Sequence, residues 1–391
     1  MSIKDFAESV PDMRDTKNSI YKVNEIVFIT LVSVLCGAET WGEVVLFGRS
    51  HFDYFSKRLP GLSDIPCQDT FSRFFTLLDV EWFEESFRLF VDDLCRRLPG
   101  VVAIDGEATC KNPRWSGSGM KGRLYMVSAW AAGNGLCLGQ RKADGKSNEM
   151  TAIPELIKLL DLEQCMVTID AMGYQKNIAQ TIVDHKADYI GGIKANQRNL
   201  YEYCQKMFSE EERIYLPACY GNYVTEENAH GRSERRECIV YHSEVLPYFF
   251  EEWKGLKSFV KIISNRKEKG KEETTQTRYY MTSLGKEPQL LSQAIRTHWN
   301  IENNLHWQLD VSFREDYTRK TDNAAVDFSA ICKIALMLLK RNERKKTSIA
   351  AKRKRCGWDE KYRDQRMGIK EIAKRDQGYT QNNVKSIERK P

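Results

Sequence analysis

Two acidic residues stand out by what precedes them. Asp105 follows the apolar run Val101-Val-Ala-Ile104, and Asp170 follows Cys165-Met-Val-Thr-Ile169. Short apolar runs of this kind read as buried strands. In open α/β sheets, ligands gather at the carboxyl ends of strands, where loops and helix starts converge. If the two strands are neighbours, both carboxylates emerge at one place, and two close carboxylates repel unless a cation lies between them. Hard oxygen ligands favour Mg²⁺ or Mn²⁺. A site for two such ions, about 3.5–4 Å apart, needs a third acid, which a later helix can supply. One Asp closing one strand usually marks a turn; two in one small domain argue for a site. Other chemistries find no support: the chain has no G-x-S-x-G, no P-loop and no C-x-x-C, and its Cys and His residues are not spaced as a nucleophile and its base.

The elements that must position these acids follow from the hydrophobic pattern. With 391 residues, of which 41% are hydrophobic and 29% charged, the chain has room for two or three domains and a sizeable core. Up to about Leu98 it reads helical, with Phe71, Phe74, Phe75 and Leu78, then Phe83, Phe87 and Phe90, at helical spacing. Within it, Asp69 or Thr70 is a candidate helix cap. Exposed Gln68, Thr70, Ser72 and Arg73 suit either a helix-turn-helix or a helical cap packed on the next domain. From about Pro99 to Ser209 the order is strand, strand, strand, helix, strand, helix, strand, which predicts an α/β domain with a mixed sheet. Three further strand-like runs lie at Arg235–Tyr241, Ser258–Ile263 and Thr277–Met281. Helical spacing returns from Gln289 to about Leu309 and again from Ala330 to Leu339.

Charge is distributed unevenly. Net charge is +6, but residues 340–391 carry 18 Lys+Arg against 7 Asp+Glu. The rest of the chain is therefore mildly acidic. This basic C-terminal tail reads as an arm that neutralises phosphates or as a solvated tail. The apolar run Val27–Cys36 is too short to cross a bilayer, and the N-terminus does not have the pattern of a secretory signal. Eleven cysteines without metal or disulfide spacing suit a reducing cytoplasm.

Several motifs, in order and at natural separations, carry a resemblance. They are AIDG at 103–106, KSNEMTAIPELIKLLDL at 146–162, TIDAMGYQ at 168–175, KANQ at 194–197, HGRSERR at 230–236 and HWNIENNLHWQLDVSFRED at 298–316. From Phe6 to about Tyr362 the chain resembles the H-repeat-associated proteins, DDE-type insertion-sequence transposases. The resemblance implies a ribonuclease-H-like mixed sheet flanked by helices, behind a helical N-terminal domain. In residue numbers this is a DNA-binding domain at 1–98, a catalytic domain at 99–339 with a β-rich insertion at about 210–288, and the basic tail at 340–391. It also implies that Asp105, Asp170 and Glu302 are the catalytic acids, holding two Mg²⁺ or Mn²⁺ ions for in-line phosphoryl transfer. The partners would be double-stranded DNA, at element ends and targets, with a homodimer at synapsis. The site of action would be the cytoplasm, at the nucleoid when DNA is bound.

The same motifs suggest DNA contacts. Lys194, Asn196 and Gln197 lie between a strand and a helix start, where a phosphate can be held. His230, Arg232 and Arg235 form a second basic cluster suited to backbone contacts. His298, four residues before Glu302, stands where related transposases carry Arg, and when protonated it can contact a DNA phosphate. The Tyr and Lys that such enzymes place around the Glu are here Ile295 and Leu309. Glu107-Ala-Thr-Cys110 replaces an expected Lys-Thr-x-Arg. Glu107 is either an extra ligand or a brake on DNA approach, and it leaves open a catalytically impaired, DNA-binding relic. Trp299 and Trp307 can stack on an unpaired base, with at least one expected in the core. Asp310, two turns beyond Glu302, is expected to orient a ligand or a basic group.

Overall fold

The computed structural model describes residues 1–12, 14, 19–94, 100–111, 123–143, 149–170, 174–215, 217–229, 231–242, 250–341 and 347–369. Six helices come first: α1 (Ile3–Ser9), α2 (Val23–Leu35), α3 (Trp41–Ser50), α4 (Phe52–Arg58), α5 (Gln68–Leu77) and α6 (Val80–Leu94). The phenylalanine periodicity explains α5 and α6, since Phe71, Phe74, Phe75, Phe83, Phe87 and Phe90 are all buried. Helix α5 begins earlier than the expected caps, with Cys67 at its N-cap and no side-chain cap bond. Then come β1 (Val101–Lys111), β2 (Arg123–Ala131), β3 (Leu136–Ala143), α7 (Glu149–Leu159), β4 (Met166–Ile169), α8 (Lys176–Asp184), β5 (Asp188–Ile193), α9 (Arg198–Met207) and α10 (Glu210–Tyr215). Four long strands follow: β6 (Tyr220–Ala229), β7 (Arg232–His242), β8 (Ser258–Glu268) and β9 (Thr274–Thr282). The last described elements are α11 (Pro288–His298), a π-helical turn (Glu302–His306), α12 (Trp307–Ser312), α13 (Asp322–Lys340), α14 (Ile349–Trp358) and α15 (Glu360–Met367).

Among the described residues, the nine strands form one sheet in the order β3-β2-β1-β4-β5-β9-β8-β7-β6. Strands β1, β2 and β3 are antiparallel, while β4 lies parallel to β1, and β5 parallel to β4. This 3-2-1-4-5 half is the ribonuclease-H-like arrangement, as the resemblance implied. The β-rich segment continues the same sheet, because β9 pairs antiparallel with β5. Strand β6 escaped the sequence reading: it is an edge strand with most of its side chains exposed or half-exposed, so it lacks an apolar alternation.

Each sheet face has its own cover. On one face, Val102, Ile104, Val167 and Ile169 pack with Ile153, Leu156 and Ile157 of α7 and Ile178 and Ile182 of α8. On the other, α11 crosses β1, β4, β6 and β7, and α13 lies against β3. The N-terminal helices do not close a core by themselves. One hydrophobic cluster joins Phe6, Ile29, Phe55 and Phe87 to Leu305, Leu309, most of α13, and Cys356, Tyr362 and Met367.

The basic stretch after Lys340 is partly folded into that core. Lys352, Arg353, Arg363 and Arg366 are buried. Arg353 donates from Nη2 to the Val34 carbonyl at 2.9 Å and from Nε to the same oxygen at 3.3 Å. Tyr54 donates to Asp364 at 2.6 Å. These charges close the ends of neighbouring helices and are withdrawn from any phosphate-neutralising arm. Residues 342–346 and 370–391 of the expected tail lie outside the described residues.

Candidate metal centre

A strand's side chains alternate between faces. Because Val102 and Ile104 enter the core under α7 and α8, Asp105 and Glu107 share the opposite face with Ala103. By the same alternation, Thr168 and Asp170 share a face when Val167 and Ile169 are buried on the other. Strands β1 and β4 are adjacent and parallel, with Ile104 paired to Ile169. Asp105 and Asp170 are therefore the next residues on neighbouring strands. The sequence placed both at strand ends; only β4 stops there. Strand β1 runs on to Lys111, with Asp105 opposite Ser128 of β2.

The third acid arrives from the covering layer. Residues 289–309, expected as one helix, break into α11, the π turn and α12. Single π turns inside helices concentrate at functional sites. This one presents Glu302 and His306 to the acidic face of β1. His306 Nδ1 lies 3.4 Å from Glu302, 3.5 Å from Glu107 and 3.8 Å from Asp105. Lys340 of α13 fixes the turn by donating to the Asn304 carbonyl at 2.6 Å while its ammonium lies 4.6 Å from the Trp130 ring centroid. A cleft of about 480 Å³ opens at this point. Its lining includes Asp105, Asp170, Lys194, Arg278, His298 and Glu302.

The electrostatics divide the acids. Burial raises the Asp105 carboxyl, against the pull of His306 and His298. Glu302 is held below the usual carboxylate range by its hydrogen bond with His306. Glu107 is pushed up to about 9 by burial and by its neighbours Asp310 and Glu315. This rise favours the neutral acid at Glu107 and works against the charge reversal expected from its sequence position. Asp310, hydrogen-bonded to Glu107, is pushed up to about 6 by burial and by Asp316 and Glu315. Its hydrogen-bond partner is thus another acid, while His306 acts on it electrostatically.

The other expected site residues fall in three places. Lys194 donates to Asp170 Oδ2 at 2.8 Å, both side chains being about half exposed. His298 lies beside the acids: its Nδ1 is 2.9 Å from Thr168 Oγ1, and burial lowers its basicity against the pull of Asp105 and Asp170. Asn196 is exposed on the turn before α9, and Gln197 donates to the Tyr174 carbonyl at 3.0 Å. Arg232 and Arg235 are on β7 and face acids, Arg232 with Glu234 at 3.8 Å and Arg235 with Glu226 and Glu237, each at 3.4 Å. His230 lies outside the described residues. Both Trp299 and Trp307 are exposed, which corrects the expectation that one packs in the core. Arg278 lies over the Trp299 ring at 4.6 Å. The sequence reading missed Arg278, and it placed His306 on the Glu302 face without a role. The i+4 spacing of Glu302 and His306 was the available signal.

The donor set fits a divalent cation. One ligand atom each from Asp105, Glu302 and His306 can be chosen so that all three lie within 4.8 Å of one another. The ring of His306 is buried, and among the described residues its Nε2 has no hydrogen-bond partner.

Comparison of the sequence with known families and proteins identifies relatives. Residues 96–338 match the transposase DDE domain family, and residues 4–91 match the family described as DDE_Tnp_1-associated. The chain belongs to the DDE transposase family. It is 39% identical over 363 residues to "Putative transposase YncI" of Escherichia coli O157:H7, covering 90% of this chain and 91% of that one. It is 34% identical over 361 residues to "H repeat-associated putative transposase YhhI" of Escherichia coli strain K12, covering 90% and 94%. A piggyBac transposase synaptic complex with hairpin DNA aligns with 94% of this chain and 77% of that one, at 11% identity and a TM-score of 0.44. Among the described residues, no helix is long and apolar enough to cross a membrane.

Proposed function

We propose that this protein is a DNA transposase that cleaves phosphodiester bonds at insertion-sequence ends and joins the freed 3′ ends to target DNA. The observation that carries the proposal is the convergence of Asp105, Asp170 and Glu302, from three distant segments, on one cleft. Asp105 and Asp170 are held by adjacent strands in fixed register, so their spacing is set by the sheet. Glu302 comes from a separate layer, anchored by Lys340. Divalent ions bound by these carboxylates, Mg²⁺ or Mn²⁺ and two in number, would supply Lewis acidity at the scissile phosphate.

The remaining groups bind and orient. Lys194 and Arg278 bring positive charge to the cleft wall, where phosphate oxygens would lie. Lys194 is exposed enough to exchange Asp170 for a DNA phosphate. His298, held by Thr168, buttresses the acids from α11. Asn196 and Gln197 extend the Lys194 wall towards the start of α9, and Arg232 and Arg235 offer backbone contacts along the outer strands. His230 belongs to the same proposed set by resemblance alone. The DNA would be duplex element ends held by a homodimer, in the cytoplasm and on the nucleoid. The assignment of residues 1–98 to DNA binding, 99–339 to catalysis and 340–391 to a tail accompanies this reading.

The test is strand cleavage of a linear duplex carrying the element's ends, in Mg²⁺ or Mn²⁺. Nicking at the ends, followed by joining, is expected for the wild type and should vanish in Asp170→Ala with DNA binding retained. DNA binding without cleavage in either metal would sink the enzymatic reading in favour of an impaired relic. Cleavage without end preference or joining would indicate a simple nuclease.

A further inference from the structure

The three assigned acids leave His306 unused, yet the fold spends much to place it. We infer that His306 is a nitrogen ligand to the divalent ion held by Asp105 and Glu302, so that half of this metal centre has two carboxylates and one imidazole. The inference rests on the proposed function and adds a ligand beyond its three acids.

The bland alternative is a buried histidine paired with one carboxylate. Its geometry argues otherwise. A single ring nitrogen, Nδ1, faces three carboxylates from two separate layers: Glu302 at 3.4 Å, Glu107 at 3.5 Å and Asp105 at 3.8 Å. One N–H can serve only one of these oxygens well. Nδ1 donates to Glu302 while no ion is bound; once that proton is lost, the ring offers a lone pair that a cation shared with Asp105 and Glu302 would take up. The ligand atoms of Asp105, Glu302 and His306 can be grouped within 4.8 Å, which is the compactness a shared ion requires. The ring is nearly sealed from water, with 3% of the side chain exposed, so Nδ1 depends on these neighbouring groups or a bound ion for its partner. The π turn keeps Glu302 and His306 on one flank, and Lys340 locks that turn through the Asn304 carbonyl.

An imidazole changes which metal the site prefers. Carboxylates and water suit Mg²⁺, whereas imidazole favours the later divalent metals. Exchange of one oxygen for a nitrogen therefore tilts the centre from Mg²⁺ towards Mn²⁺ and Co²⁺.

The experiment uses the full-length protein and Mn²⁺ alone, with no DNA and no turnover. Pulsed electron paramagnetic resonance of bound Mn²⁺ should show modulation from a directly bound nitrogen in the wild type. His306→Asp should retain Mn²⁺ and lose the modulation, and its preference for Mn²⁺ over Mg²⁺ should fall. His306→Ala should weaken Mn²⁺ binding by about tenfold or more, since loss of even an outer partner costs about 10–100-fold. His298→Gln should keep the modulation, which separates the two histidines. The wild-type spectrum needs no variant, so a folding defect in a variant does not remove the test. Mn²⁺ that binds to the wild type and is lost in Asp105→Asn, but shows no nitrogen modulation, would overturn the ligand assignment alone. So would modulation that survives in His306→Asp. A wild type that does not bind Mn²⁺ would overturn this inference together with the metal-dependent reading beneath it.

Discussion

Glu107→Gln should stabilise the metal-free protein, by an amount that depends on pH in a defined way. Glu107 is mostly buried, with 18% of its side chain exposed, and its folded-state pKa is raised from 4.5 to about 9. A carboxyl raised on folding has its stability fully present below its unfolded value and loses it as pH rises through its folded one. In the unfolded chain at pH 7 Glu107 is ionised; folding must return a proton to it. Over the interval from 4.5 to 7, at about 1.4 kcal/mol per pH unit, that costs about 3 kcal/mol. Glutamine bears no such cost, and its amide can donate to Asp310 as the protonated carboxyl does. The gap between variant and wild type should thus be near zero at pH 4.5, reach about 3 kcal/mol at pH 7 and keep growing towards pH 9. Urea denaturation in the presence of a chelator, at several pH values from 5 to 8, measures it. A variant no more stable than the wild type at pH 7, or a gap that stays constant with pH, would refute the view of Glu107 as a buried neutral acid.

Three further outcomes follow from packing. Gly191→Ala would force a methyl group into the ring of Tyr174, which is buried behind the cleft strand β5; thermal unfolding should show a loss of about 2 kcal/mol, typical of overpacking, with weaker cleavage. Lys340→Met removes the donor to Asn304 and the cation from the Trp130 face; a loss of about 2 kcal/mol is expected for the unmet carbonyl, and amide exchange should quicken first in residues 302–306. Arg353→Leu strips the Val34 and Ala38 carbonyls of their buried guanidinium; about 3 kcal/mol should be lost in urea unfolding, while a variant at exposed Arg355 should unfold like the wild type.

What could be read from the sequence was whatever local pattern determines. Asp105 and Asp170 were legible because an apolar run that stops at an acid needs a reason to stop, and the parallel β1–β4 pairing then brings them side by side. Strands β2, β3, β5 and β7 to β9 were legible from their apolar runs. Glu302 was not legible from pattern: on a helix with polar neighbours it looks like any solvated acid, and only the resemblance singled it out. Other features depend on partners distant in the chain. Nothing near Trp299 reveals that Arg278, from another strand, will lie over its ring. Nothing near Arg353 and Arg363 reveals that they will be buried against α2 and α4. The π turn is equally hidden, because its carbonyl partner Lys340 lies 36 residues away.

The seam between the first helices and the last ones has a consequence for how the protein comes into being. Arg353 reaches back 319 residues to Val34, and Asp364 reaches back 310 to Tyr54. Contacts of such span form late, since a long loop must close before they reward the chain. During synthesis, the amino-terminal helices therefore wait with an apolar flank uncovered until the segment from Arg353 to Asp364 has emerged. The π turn that presents Glu302 leans on the same cluster through Leu305. Assembly of the cutting centre is thereby tied to arrival of these last helices, and a copy stopped before them would have its sheet without a firmly seated third acid.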